Sequence, residues 1–296
     1  MPTNSKTLEL NGKQYPLAGL LSEMVLAADD LSKNAHLPPE TALPADTDLS
    51  DEDYNKVYSQ IRAFGIFPRE VLDIFASAFA AKHLPNLAAA LRRLSPTTQP
   101  RAMTATIHIF SLLPEPKRQP YVRKFLQNND ASKGLGNIIA DAFVRGLTWG
   151  IPKGFDAHCT LIINVLFWSD PKMGDDGKAA VDKDLRKKLE EALIATMERE
   201  DVKALDRRDR VDIERLRGLL KPVEMMPASY YLDSTRGYLE GQVDVCGGDS
   251  VDPDRMCAEE GVSFCSRCKT VKYCGTACQN WHWKHGHKAH CFPTTY

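Results

Sequence analysis

Cysteine and histidine residues are concentrated at one end of this chain. Seven of its eight cysteines and four of its eight histidines lie within the last 51 of its 296 residues. The start of the chain shows no apolar segment typical of a secretory signal, and clustered cysteine and histidine in a reducing compartment bind metal more often than cysteines pair as disulfides. The pattern therefore predicts a zinc-binding segment.

Eight of these residues have the spacing of zinc ligands, and eight is the number that two tetrahedral zinc ions need. One pair is separated by two residues, as in a zinc knuckle, and two pairs lie one helical turn apart. Thiolate and imidazole select zinc over magnesium or calcium, and a filled tetrahedron leaves no vertex for a reactive water. We therefore predict two structural zinc ions. The predicted ligands are Cys246, Cys257, Cys265, Cys268, Cys274, Cys278, His287 and Cys291.

The rest of the chain carries the periodic apolar pattern of α-helices. Ser50, followed three residues later by Asp53, predicts the capped start of one helix. Proline and glycine predict loops over 35–49 and 169–178, and Asn11-Gly12 predicts the turn of a short hairpin over 7–16. Helical patterns cover residues 17–28, 71–79, 84–94, 103–113, 138–147, 160–168, 179–200 and 208–220, with a weaker pattern over 226–239.

About nine or ten helices with short connections predict an all-α fold. The sequence leaves open whether they form a multi-helix bundle or a helical-repeat-like domain, because no fixed repeat period is present. Glycine, aspartate and proline interrupt the helical pattern at 241–256. We therefore predict two domains, a helical domain over 1–240 and a small two-zinc finger over 241–296.

Short motifs follow one another through residues 246–291, namely Phe264-Cys265-x2-Cys268, Tyr273-Cys274, Cys278-Gln279, Trp283-Lys284 and His287-x3-Cys291. With them this segment resembles a MYND-type zinc finger. The resemblance implies two interleaved zinc sites, one formed by Cys246, Cys257, Cys274 and Cys278, the other by Cys265, Cys268, His287 and Cys291. The family usually has two residues between the first two ligands, whereas ten separate Cys246 from Cys257 here. A ten-residue loop still closes at small entropic cost. Asp254, within that loop, is the alternative to Cys246 as a zinc ligand.

The resemblance also implies a function, because MYND fingers are protein-interaction modules and many bind short proline-containing peptides. The positions that match the family's peptide-contacting surface are Ser266, Gln279 and Trp283. Trp283 would provide a flat apolar anchor, and Gln279 would provide amide hydrogen bonds to an extended backbone. The alternative for Trp283 is packing inside the small finger. We therefore expect a non-catalytic adaptor that recruits partner proteins, with transcriptional regulation as one setting, and the helical domain as a second binding surface.

Two other classes of protein remain as alternatives. Some MYND proteins resemble lysine methyltransferases, but the helical pattern does not match their mostly β catalytic domain. Cys159 beside His158 is the one candidate nucleophile outside the zinc motifs, although adjacent residues of a helix do not face each other, and a buried structural thiol is the expected role. A nucleic-acid-binding finger would use Lys269, Lys272, Lys284 and Lys288. Seven thiolates outweigh two Zn²⁺ ions there and make the finger slightly negative, which disfavours phosphate binding.

Three histidines of the finger fall outside the predicted ligand set. We expect His282, His285 and His290 to be polar surface residues, with His285 as the rival of His287 for the second zinc site. The longest apolar run, over 161–168, is too short to span a bilayer. With no secretory signal, the expected location is intracellular, either cytoplasmic or nuclear.

Overall fold

The computed structural model describes residues 7–10, 13–151, 153–249, 257, 259–294 and 296. Within them the chain is predominantly α-helical, which confirms the predicted fold class. The helices before the finger are α1 (Leu17–Asn34), α2 (Asp51–Phe64), α3 (Arg69–Arg93), α4 (Pro100–Ser111), α5 (Pro120–Gln127), α6 (Asn129–Ser132), α7 (Leu135–Val144), α8 (Gly154–Trp168), α9 (Lys183–Met197), α10 (Glu200–Lys203), α11 (Arg207–Met225) and α12 (Tyr230–Gly241).

A two-stranded hairpin precedes the helices, as predicted. Strand β1 (Thr7–Leu10) pairs antiparallel with β2 (Lys13–Pro16), with Thr7 opposite Pro16. The predicted Asn11-Gly12 turn lies outside the described residues. Helix α1 follows β2 directly, and its apolar face packs on α3.

Two helices, α3 and α8, occupy the centre of the helical region. Both are apolar around most of their circumference, which is typical of a helix enclosed by others. Small alanines along α3, including Ala78, Ala80 and Ala81, allow neighbours to approach closely, whereas α8 presents larger side chains such as Ile162 and Phe167. Helices α4, α5 and α7 each contact both central helices. The helices therefore surround a common core, as in a bundle, instead of stacking only on their neighbours in the chain.

Several helix boundaries differ from the predictions. The patterns over 71–79 and 84–94 belong to one helix, α3, which continues through Pro85 because tight burial of Leu84 and Leu87 offsets the hydrogen bond that an interior proline removes. Helix α9 begins at Lys183, not at 179. The short helices α5 and α6 were not predicted. The cap at Ser50 is confirmed, because its Oγ accepts from the Asp53 N–H at 3.1 Å.

The C-terminal segment contains a second small hairpin and a broken helix. Strand β3 (Ser263–Phe264) pairs antiparallel with β4 (Lys272–Tyr273). Helix α13 (Thr276–His282) continues through a π-helical turn (Trp283–His287) into α14 (Lys288–His290), which contacts α3. The division into domains 1–240 and 241–296 stays a prediction. None of the helices in the described ranges combines the length and apolar character needed to traverse a bilayer.

Candidate metal centre

The eight predicted zinc ligands converge into two groups of four. Within each group the ligand atoms all lie within 4.8 Å of one another. The grouping is the interleaved one that the resemblance implies. Cys246, Cys257, Cys274 and Cys278 form the all-cysteine group, and Cys265, Cys268, His287 and Cys291 form the histidine-containing group.

The spacing of the ligand atoms fits a zinc ion at the centre of each group. In a tetrahedron with Zn–S bonds of about 2.3 Å, two sulfurs are about 3.8 Å apart. The Sγ atoms of Cys257, Cys274 and Cys278 are separated by 3.6–3.8 Å. In the histidine-containing group, Cys265 Sγ lies 3.7 Å from Cys291 Sγ. A disulfide would need about 2.05 Å, so these distances describe metal cages and not oxidised pairs.

The β3–β4 hairpin positions two ligands of the histidine-containing group. The N–H of Cys265 donates to the Val271 carbonyl at 2.8 Å, and the N–H of Lys269 donates back to the Cys265 carbonyl at 3.0 Å. Lys269 adopts a φ of 58°, a left-handed conformation that closes the tight knuckle turn. His287 and Cys291 flank α14, so one helical turn presents both to the same ion.

A backbone bridge explains how Cys246 reaches the all-cysteine group across ten intervening residues. Val245 pairs antiparallel with Glu260, and the Cys246 N–H donates to the Glu259 carbonyl at 2.9 Å. This bridge holds residues 245–246 beside 259–260, which lie close to Cys257 in sequence. The alternative ligand Asp254 lies outside the described residues.

Hydrogen bonds to sulfur favour the thiolate form that zinc requires. Backbone N–H groups of Gly248 and Cys274 both point at Cys246 Sγ, each at 3.4 Å. Burial raises the pKa of the Cys246 thiol, but these donors lower it, and the net pKa lies below its ordinary value. In the histidine-containing group, the neighbouring Cys291 sulfur, and with it the Thr270 hydroxyl at 3.2 Å, lowers the pKa of Cys268.

Crowding of sulfurs has the opposite effect on other ligands. The adjacent Cys268 sulfur and burial raise the pKa of the Cys291 thiol, and the Cys278 sulfur raises the pKa of Cys274. Several thiolates within 4 Å repel one another unless a cation lies between them. The donor set therefore suits a divalent soft cation, and two Zn²⁺ ions would bind as structural ions with all four positions of each filled.

The three remaining histidines of the finger are half-buried, so the expectation of surface residues is wrong. His282 Nδ1 lies 3.1 Å from the Tyr273 hydroxyl, and burial lowers its pKa to about 4. His285 Nδ1 lies 2.6 Å from the Trp281 carbonyl and its ring stacks on that indole, which separates it from the zinc groups. His290 packs toward the helical region, a contact that local sequence does not reveal.

The predicted partner-binding residues have accessible side chains. Ser266 is exposed, while Gln279 and Trp283 are half-buried on the broken helix. The Trp283 ring meets the His287 ring edge-on at 6.0 Å, so one part of the indole supports the second zinc site while the rest stays accessible. Their role in binding partners stays a prediction.

The tail after the histidine-containing group is anchored to the helical region through buried tyrosines. Tyr121, 1% exposed, donates to the His290 carbonyl at 2.7 Å and accepts from the Phe292 N–H at 2.7 Å. The Tyr296 hydroxyl donates to the Ala80 carbonyl in α3 at 2.7 Å. No sequence motif marks these partners, which lie more than 160 positions apart.

Cys159, the one cysteine outside the two groups, is fully buried in α8, as expected for a structural thiol. Both ring nitrogens of His158 have hydrogen-bond partners, the Thr148 hydroxyl at 2.7 Å from Nδ1 and the Ile139 carbonyl at 2.8 Å from Nε2. Burial raises the pKa of the Cys159 thiol well above its ordinary value. This pair therefore lacks the exposed, ionised thiol that a nucleophile needs.

Comparison with known proteins places the similarity in the finger. Three ubiquitin carboxyl-terminal hydrolases of Arabidopsis thaliana, numbers 17, 19 and 16, are 43% identical over 53 residues, 50% over 36 and 55% over 31. These matches cover 17, 12 and 10% of this chain but only 7, 5 and 3% of the relatives. No solved structure matches the chain. The family model of the MYND finger matches residues 255–291, and the C-terminal segment of this chain is a MYND finger, a protein-interaction domain.

Proposed function

We propose that this chain is a non-catalytic adaptor that recruits partner proteins through its MYND finger, including partners with short proline-containing peptides. The observation that carries the proposal is the closure of both ligand groups. Four protein ligands for each ion leave no vertex for water or substrate, so the zinc stabilises a surface and activates nothing. Transcriptional regulation is one setting in which such recruitment would serve.

The proposed recruiting surface comprises Ser266, Gln279 and Trp283. The side-chain amide of Gln279 makes no hydrogen bond within the described part of the chain, which leaves it available to an extended peptide backbone. The accessible part of the Trp283 indole supplies an apolar contact of the kind that dominates many interfaces. The helical region is proposed as a second surface for partners.

The Trp283→Ala variant tests this surface. We expect it to lose binding to an arrayed library of proline-containing peptides, because the apolar anchor is removed, while retaining two zinc ions by elemental analysis. The matched control is Asn280→Ala, an exposed neighbour on α13 that keeps both zinc and binding. Equal peptide binding by the Trp283→Ala and native chains would reject the assignment.

The absence of catalysis is part of the proposal and has its own test. Of the eight cysteines, seven belong to the zinc groups and the eighth is buried. We expect no turnover when the purified two-zinc chain is assayed for protein lysine methylation and for hydrolysis of ubiquitin conjugates, the latter because the similar Arabidopsis proteins are named ubiquitin hydrolases. Turnover in either assay would replace the adaptor with an enzyme.

A further inference from the structure

A cleft of about 990 Å³ lies between α5 and the zinc finger. The helical wall includes Lys117, Arg123 and Lys124, and the finger wall includes Lys269. Residues Ser266, Gln279 and Trp283 do not line it. The cleft is therefore a different surface from the one proposed above.

The carboxylates that line the cleft already have partners. Three acidic residues contribute to its walls. Two of them pair with cations, and the third accepts from a neutral amide and keeps its charge, so four lining cations remain against one unneutralised carboxylate. The pairs are Asp73 with Arg118 at 3.7 Å, Asp244 with Lys272 at 2.6 Å, and Glu240 with Gln127 at 2.8 Å.

Arg123 is the most unusual of the remaining cations. Its side-chain hydrogen bonds within the described residues both come from Nη1, which donates to the carbonyls of Pro116 at 2.8 Å and Lys117 at 3.4 Å. Its Nε and Nη2 have no such partner there, and no carboxylate of those residues lies within ion-pair distance. Burial lowers the pKa of this guanidinium, against an opposite effect of the Asp244 carboxylate, and its central carbon lies 6.0 Å from the centre of the Trp168 ring. An open guanidinium fork of this kind matches a carboxylate.

Two lysines, one from each wall of the cleft, are close enough for their charges to interact, and neither forms an ion pair within the described residues. Lys124 of α5 donates to the Thr294 hydroxyl at 3.1 Å, and Lys269 extends from the exposed knuckle turn. Burial and the charge of Lys269 lower the pKa of Lys124, against an opposite effect of the Cys268 sulfur. With zinc bound, the net charge of the histidine-containing centre is −1 and that of the all-cysteine centre is −2, and one ligand of each, His287 and Cys246, lines the finger side of the cleft. The charges of Lys117 and Lys269, by contrast, are exposed.

We propose that this cleft binds an acidic segment of a partner protein, with carboxylates paired to Arg123, Lys117, Lys124 and Lys269. A short peptide segment suits a bounded cleft of about 990 Å³ better than nucleic acid, which binds through many phosphate contacts along an extended basic surface. The inference goes beyond the proposed adaptor surface and requires neither proline nor Trp283.

Fluorescence anisotropy with the full zinc-loaded chain tests this proposal, using labelled deca-glutamate as the probe. We expect deca-glutamate to bind and neutral deca-glutamine not to bind. The double variant Lys117→Gln/Lys269→Gln removes two exposed charges, and we expect it to weaken deca-glutamate binding by roughly tenfold, since each exposed ion pair contributes up to about 1 kcal/mol. Arg123→Gln is expected to weaken it further.

The matched control is Lys187→Gln/Lys188→Gln, which removes two exposed charges from α9. It should change the affinity by less than about twofold. No binding of deca-glutamate, or equal loss in the control and cleft variants, would overturn the proposal. The proposal would also be overturned if an oligothymidine of the same length bound more tightly than deca-glutamate and lost affinity in the Lys117→Gln/Lys269→Gln variant. The cleft would then be a nucleic-acid site. Trp283→Ala should leave deca-glutamate binding intact, which separates this surface from the adaptor surface.

Discussion

The helical region and the finger are stabilised in different ways. In the helical region, nearly every long helix buries apolar side chains, such as those of Phe79, Leu84 and Ile162. In the described part of the finger, the buried apolar side chains other than the zinc ligands are those of Tyr273 and Ala289. So small an apolar core does not stabilise a fold alone, and metal binding must provide the rest. The comparison shows that one chain uses two stabilising interactions, of which only one depends on zinc.

Loss of a zinc ligand should produce the largest effect and separate the two regions. Structural zinc contributes on the order of 10 kcal/mol per site, so Cys268→Ser should unfold the finger and lower the zinc content while the circular dichroism of the helical region is largely retained. Cys159→Ala, the matched control in α8, should keep both zinc ions. If the helical signal collapses together with the finger, the two regions are not independent.

Removal of the buried Arg186 ion pairs should destabilise the helical region and leave the zinc finger intact. The Arg186 side chain is 1% exposed and its Nη2 contacts Asp176 at 2.5 Å and Glu224 at 2.7 Å. Arg186→Ala removes a buried guanidinium and its charged hydrogen bonds, but Asp176 and Glu224, 22% and 39% exposed, can turn to water. The free energy of unfolding of the helical region should therefore fall by about 3 kcal/mol, measured by urea denaturation. Zinc content should not change. Arg145→Ala, which breaks an exposed pair with Asp141, should cost less than about 1 kcal/mol.

Acid should destabilise the helical region even in a variant whose finger is unfolded. Burial lowers the pKa of His158 to about 4 from 6.5. Between these values the unfolded chain binds a proton that the folded chain excludes, so stability falls as the pH drops from 6.5 toward 4, by roughly 3 kcal/mol. Thermal melts of the Cys268→Ser chain isolate this effect from zinc release. The added substitution His158→Gln should make the dependence shallower, and an unchanged slope would contradict this origin.

The smallest predicted effect concerns one glycine beside the all-cysteine group. A Cβ at Gly248 would lie 2.9 Å from Cys278 Cβ and 3.1 Å from its Sγ. Gly248→Ala should therefore weaken zinc binding at that group by about 10–100-fold, in competition with a chromophoric chelator. Gly275→Ala provides the control, because a Cβ there meets nothing within 4 Å. Equal zinc affinities of the two variants would show that the all-cysteine group accommodates the added methyl group.

Local spacing was sufficient to predict the eight ligands and most helices, whereas the division of the ligands into two interleaved groups came from the resemblance to MYND fingers. The pairs in the finger separated by two or three residues lie within one turn, so their approach is fixed by local geometry. Cys246 depends on the Val245–Glu260 bridge, which no spacing rule specifies. Helix α5 is short and begins at Pro120, so its apolar periodicity is too brief to detect.

Contacts between distant parts of the chain explain the other errors. His290 was expected at the surface because nothing near it in sequence indicates that Tyr121 receives the tail. The continuity of α3 through Pro85 also depends on tertiary packing that outweighs local preference. The cleft above α5 was missed for the same reason, since its lysines come from segments about 150 residues apart.

The bond from the Phe292 N–H to the Tyr121 hydroxyl begins one residue after the ligand Cys291. Zinc that holds Cys291 in place therefore also holds the tail in position to dock. Thermodynamic reciprocity then requires the converse: the factor by which bound zinc strengthens docking of the tail at Tyr121 is also the factor by which docking raises the affinity of the histidine-containing group for zinc. The helical region thus influences the zinc affinity of the finger through the docked tail, although it contributes no zinc ligand.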